Sequence, residues 1–240
     1  MVWMLLACIS NADRASSAVR ADLAGAYLME GQTEACISEA SEATELNRKN
    51  VDAWHTKALC LMKRGAHDEA EKAFKKALRI TPDDAALLLN YAYLLQNLGR
   101  TDEAIEALEH ARKDLTYMAP AKVLNNLGWA YLQADRDHDA VGALEEAVYR
   151  QPNFCGALYN LGLAYREIGE LEAATERLEQ VRMQCPEQFP EAVLLHGTVL
   201  VEMGRVEEGA GYFHLVMQDF PGTEEADEAQ KQLDAVGMTP

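Results

Sequence analysis

Between residues 54 and 82 the small and apolar positions fall at Trp54, Ala58, Gly65, Ala70, Phe74, Ala77 and Pro82, at offsets of 4, 11, 16, 20, 23 and 28 from the first. Steps of three and four within two blocks, split by a glycine and closed by a proline, predict two amphipathic helices joined by a tight turn. The same frame fits Leu158, Gly162, Gly169, Ala174, Leu178 and Pro186. Units in this register start at residues 17, 51, 85, 121, 155 and 190, spaced 34 to 36 residues apart. A single hairpin cannot cover its own apolar face, so stacking on neighbouring hairpins must supply the core.

The pattern resembles the tetratricopeptide repeat. It predicts an all-α, superhelical solenoid of six helix-turn-helix units over residues 17–222, after a short segment 1–16 and before a capping helix and tail at 223–240. Packing explains the recurring residues. Ala24, Ala58, Ala92, Gly128, Gly162 and Gly197 share the eighth position of their units, where a small residue lets two helices approach. Gly31, Gly65, Gly99, Gly169 and Gly204 are expected to end the first helices, with Asp135 in that place in the fourth unit. Pro82, Pro152, Pro186 and Pro221 separate each second helix from the next unit. The third unit runs two residues long through Arg112 to Pro120, which predicts a distinctive loop. In the tail, Ala226, Ala229, Leu233 and Val236 form an apolar stripe suited to a cap.

Composition narrows the function. With 39 acidic against 22 basic residues in 240, the formal charge is −17 and spread along the chain, which disfavours nucleic acid as a partner. There is no run of 18 apolar residues to cross a membrane as a helix. No phosphate-binding, dinucleotide, zinc-protease or nucleophile-elbow motif is present, and the six histidines scatter over unrelated repeat positions. The expectation is a non-catalytic protein without cofactor, metal or small-molecule substrate. Five cysteines without CxxC or regular spacing suggest free or buried thiols rather than a disulfide framework.

Binding is expected on the first helices, whose fifth, sixth, ninth, twelfth and thirteenth positions line the concave face of such a stack. Those positions hold Asn90, Tyr93 and Gln96 in the third unit, Asn125, Asn126, Trp129 and Gln133 in the fourth, and Tyr159, Asn160, Arg166 and Glu167 in the fifth. Asn90, Asn126 and Asn160 recur at the sixth position, and an amide offers both donor and acceptor to an extended peptide. Tyr93, Trp129 and Tyr159 would add broad apolar contact. The competing reading is that the asparagines bond to neighbouring first helices and the rings pack between units.

The opening MVWMLLAC carries no charge, and Leu5-Leu6-Ala7-Cys8 resembles a bacterial lipoprotein box, in which the cysteine thiol is lipidated. The leader lacks a basic n-region; on this reading Met1 is an internal start and that segment lies upstream. The box, six repeats, and the long third unit with Lys113-Asp114-Leu115-Thr116-Tyr117-Met118-Ala119-Pro120, followed by Val123-Leu124-Asn125-Asn126-Leu127-Gly128, together resemble the type IV pilus biogenesis lipoproteins called pilotins, including the social-motility lipoprotein of gliding delta-proteobacteria. That resemblance implies a lipid on Cys8, a place on the periplasmic face of the outer membrane, and secretin subunits as partners whose multimerisation the protein promotes. Alternatives are a cytoplasmic adaptor or cochaperone of the same repeat class, or a scaffold of another envelope assembly.

Overall fold

In the computed structural model, which describes residues 10–114, 117–185 and 189–238, every regular element is a helix. Among the described residues there are thirteen: α1 (Asn11–Met29), α2 (Thr33–Leu46), α3 (Val51–Lys63), α4 (His67–Leu78), α5 (Ala85–Asn97), α6 (Thr101–Ala111), α7 (Pro120–Gln133), α8 (Asp137–Arg150), α9 (Cys155–Glu167), α10 (Leu171–Gln184), α11 (Pro190–Glu202), α12 (Val206–Asp219) and α13 (Glu224–Ala235). They form six hairpins and a last single helix. The chain divides into two compact units, Met1–Tyr117 and Met118–Pro240, with the division inside the long loop after α6.

Local chemistry sets the helix ends. Asn50, Asp84 and Thr223 cap α3, α5 and α13 through side-chain oxygens that accept from backbone N–H groups, while Pro120 and Pro190 open α7 and α11. Each hairpin turn repeats one bond, from the N–H of the residue after the turn glycine to a carbonyl five residues earlier, at 2.8–2.9 Å in all six. The residue before that donor adopts positive φ. It is glycine in five turns and Asp135, at φ 54°, in the sixth. Helix α1 starts at Asn11 behind a Ser10–Asp13 capping box, so residues 11–16 are helical ahead of the first unit's expected start at residue 17. Cys8, Leu115, Thr116 and Pro186 lie outside the described residues.

The core repeats one contact. The eighth position of each unit is buried, and so is the twenty-fourth, held by Ala40, Phe74, Leu108, Leu144, Leu178 and Phe213. A methyl group added at Gly162 would lie 2.8 Å from Leu178 Cγ, and one at Gly197 would lie 2.7 Å from Phe213 Cε1. Gly209 faces Gly197 so closely that its own added methyl would come within 2.7 Å of the Gly197 carbonyl oxygen. Phe213 fills the width that these two glycines surrender. Helix α13 closes this end with Ala226, Ala229 and Leu233 buried against Val193, Phe213 and Val216.

The cysteines depart from the sequence expectation. Cys36 on α2 and Cys60 on α3 form a disulfide with Cα atoms 6.0 Å apart, and Cys155 and Cys185 form another at 6.6 Å. The first joins successive hairpins, and the second closes the open end of the hairpin α9–α10. Their separations of 24 and 30 residues match no motif; packing alone brings them together. Three glutamates on second helices accept hydrogen bonds from tyrosines. Tyr91 donates to Glu71 at 3.1 Å, Tyr165 to Glu145 at 2.6 Å and Tyr212 to Glu179 at 3.0 Å, each tying a second helix to a later element. Glu71 also meets Lys75 and Arg100 at 2.6 and 2.8 Å, and these bonds, Lys75 foremost, hold its carboxyl down to about 2. His196 stacks on Tyr212 with ring centres 4.0 Å apart, and burial pushes its pKa down to about 4.

Two substitutions on α12 should act in opposite directions. Gly209→Ala is expected to destabilise by about 1–3 kcal/mol through overpacking. Gly211→Ala, whose methyl would meet open space, should stabilise by about 0.5–1 kcal/mol. Urea unfolding of both variants measures the contrast. Intact mass before and after reduction should show two disulfides, and opening either one should lower stability by about 3–4 kcal/mol for loops of this length.

Candidate protein-binding groove

The expected groove residues are best taken within each compact unit. In the first, Asn90 on α5 places Nδ2 2.9 Å from His55 Nε2 on α3. The amide donates and the imidazole accepts, which suits a ring whose pKa burial pushes down. Gln96, nearer the end of α5, is partly buried, with Nε2 shielded from solvent. Tyr93, on the same helix, is 55% exposed and remains available for contact.

In the second unit, Asn160 on α9 donates to Asn125 Oδ1 on α7 at 3.0 Å. The two bonds obey one rule: the sixth position of a repeat donates to the fifth position of the repeat before it. Two of the three recurrent asparagines are therefore engaged between neighbouring first helices. For Asn126 the equivalent fifth position one repeat earlier is Leu89, whose side chain has no polar atom. Tyr159 is half-buried, its ring centre 6.4 Å from that of Phe189, and burial raises its pKa. Arg166 reaches across to Glu202 on α11 with contacts of 2.5–3.0 Å and touches Glu167 at 3.4 Å. These residues stiffen the stack of first helices more than they present polar groups outward.

Trp129 behaves differently. It is 36% exposed and lines a pocket of about 240 Å3 with Leu132, Gln133, Asp135, Asp137, Leu163 and Glu167. Trp129 and Leu163 occupy the ninth positions of successive repeats, and Gln133 and Glu167 the thirteenth, so the pocket lies between α7 and α9 along the predicted lining. Trp129, Gln133 and Glu167 stand at expected lining positions, whereas Leu163, Asp137 and the turn residue Asp135 were not expected there. The signal for Leu163 was its shared register with Trp129; the aspartates enter only because the α7–α8 turn folds back beside the helices.

Among the described residues no group of three or more His, Cys, Asp and Glu side chains is placed to hold a metal ion, and no helix is long and apolar enough to cross a membrane. Family models of the tetratricopeptide repeat match residues 21–85 and 89–154, with further matches at 61–116 and 156–187. The chain belongs to the tetratricopeptide repeat family. Two solved tetratricopeptide-type structures are similar over most of their length. PilW, described as a widely conserved type IV pilus biogenesis factor, gives a TM-score of 0.82 at 23% identity, covering 89% of this chain and 98% of that one. Pseudomonas aeruginosa PilF gives 0.80 at 22% identity, covering 92% and 100%. At these identities the likeness establishes the fold.

Among curated relatives, the type IV pilus assembly protein PilF of Pseudomonas aeruginosa is 28% identical over 144 residues, 59% of this chain and 56% of that protein. Human protein O-mannosyl-transferase TMTC3 is 26% identical over 210 residues, 82% of this chain and 22% of that protein. The alignments thus span less than two thirds of either relative. This tetratricopeptide protein is structurally related to type IV pilus biogenesis factors.

The inter-repeat amide bond is testable by a double-mutant cycle. Asn125→Ala and Asn160→Ala, singly and together, should show a coupling energy of about 0.5–1.5 kcal/mol in urea unfolding; additive effects would mean that the bond does not hold α7 to α9.

Proposed function

We propose that this chain is a non-catalytic assembly factor of a type IV pilus machine, a pilotin that binds secretin subunits and promotes their localisation and multimerisation at the outer membrane. The observation that carries this reading is the near-complete reciprocal likeness to PilW and PilF, covering 98% and 100% of those chains. Other solved repeat structures are also matched over 93–98% of their length, but at TM-scores of 0.62–0.65 and over 72–80% of this chain; the higher scores of 0.82 and 0.80 over 89% and 92% of it favour the task of the pilus factors.

The two disulfides support an envelope location, because such bonds persist in oxidising compartments and are rare in the cytosol. Four of the five cysteines are used in this way, and Cys8 is the one left for a lipid. On this reading Cys8 tethers the protein to the inner leaflet of the outer membrane, and the first helices face the partner. Asn126, Trp129 and Tyr93 supply contact, while Asn90, Asn125, Tyr159, Asn160 and Arg166 keep the lining in register. The physical contribution is local concentration of an assembly-prone subunit and protection of its sticky surface. No bond is made or broken.

Deletion of the gene is expected to leave secretin monomers in place of heat-resistant multimers and to remove surface pili. Complementation with Cys8→Ala should leave the protein unanchored on membrane fractionation and restore assembly poorly. Normal multimers in the deletion strain would overturn the assignment.

A further inference from the structure

The pocket beside Trp129 has a chemical character that its place in the groove does not require. Three of its lining residues are apolar and three are carboxylates, with the Gln133 amide between them, and no basic side chain lines it. Two arginines close in sequence to the lining residues hold carboxylates outside it. Arg166 holds Glu202 through contacts of 2.5–3.0 Å and reaches Glu167 only at 3.4 Å. Arg136 bonds Asp139 at 2.7 Å and sits 4.4 Å over the Tyr131 ring. Asp135 adds a second anomaly. It holds φ at 54°, a backbone position taken by glycine in the other five hairpin turns, so the one turn that carries a side chain there places a carboxylate at this pocket.

We propose that this pocket binds a lysine or arginine side chain from the partner, with the cation against the Trp129 indole and among Asp135, Asp137 and Glu167. Such a side chain matches both halves of the lining. Its aliphatic stem covers Leu132 and Leu163, and its charged head meets the indole face and the carboxylates together. An acidic side chain would face three like charges, and a purely apolar one would strip water from carboxylates without replacing it. The chain's net charge of −17 draws a basic segment toward the same surface. This inference rests on the reading of the chain as a partner-binding scaffold and specifies the charge of the segment bound.

The probe is N-acetyl-arginine methylamide, with its neutral isostere N-acetyl-citrulline methylamide as the comparison. Both are titrated into the full chain while the Trp129 indole N–H is followed by NMR and assigned through Trp129→Phe. The arginine probe should shift that signal saturably and the citrulline probe should not. Asp137→Asn with Glu167→Gln, which preserves side-chain shape, should weaken the arginine response about tenfold, as should raising the salt. In Trp129→Leu, binding followed through the Leu163 methyl signals should weaken to a similar extent, while the far-ultraviolet circular dichroism spectrum stays unchanged. Equal responses to the two probes, or an unaltered response in the isosteric double variant, would overturn the proposal. The secretin reading fails independently: cation binding together with normal multimers in the deletion strain would retain the pocket and reject the pilus assignment, whereas loss of multimers with no probe selectivity would do the reverse.

Discussion

The close approach of two antiparallel helices within each hairpin is the contact on which everything else depends. In the fourth, fifth and sixth units a glycine at the eighth position backs onto a leucine or phenylalanine at the twenty-fourth, and the larger partner fills the space the glycine leaves. Where the small residue is glycine, as in Gly128, Gly162 and Gly197, there is no room for even a methyl group without displacing Leu144, Leu178 or Phe213. Because a packed interior deforms little, this contact sets the helix spacing and with it the alignment of successive first helices. The Gly197–Gly209 pair is the extreme case, backbone against backbone, with Phe213 compensating.

That alignment dictates which polar groups meet. Once first helices stack in register, the sixth position of one repeat comes opposite the fifth position of its predecessor, and Asn90–His55 and Asn160–Asn125 follow from the geometry. On the second helices the same stacking brings tyrosine hydroxyls to Glu71, Glu145 and Glu179. Within each compact unit, these bonds tie neighbouring repeats together alongside the apolar core. The first helices thus satisfy part of their own polar surface, and beside Trp129 the same packing brings a partly exposed ring together with Asp135, Asp137 and Glu167.

Much of the fold was legible from residue spacing because the period is imposed locally. Turn glycines, the Asp135 substitution, the small eighth positions and the Ala226–Ala229–Leu233 stripe each follow from backbone angles or helix pitch, and each holds its expected place. The candidate site was less legible. Trp129 and Tyr93 could be placed on the lining by register, but whether Asn160 bonds outward or to Asn125 depends on a residue 35 positions away. The disulfides were invisible for the same reason: Cys36 and Cys60 occupy different positions of different repeats, and only the packing of α2 against α3 joins them. The start of α1 was missed by six residues because its Ser10–Asp13 cap lies outside the repeat frame.

The sequence by itself determined the helical repeat, its six-fold count and its terminal cap, because these depend on interactions within about one turn or one hairpin. Tertiary structure decided which lining residues are already bonded, which cysteines pair, and that Asp135 and Asp137 join Trp129 and Glu167 around one pocket. Those outcomes depend on distances between separate hairpins. A linear pattern specifies such distances only after the small residues have let the helices close.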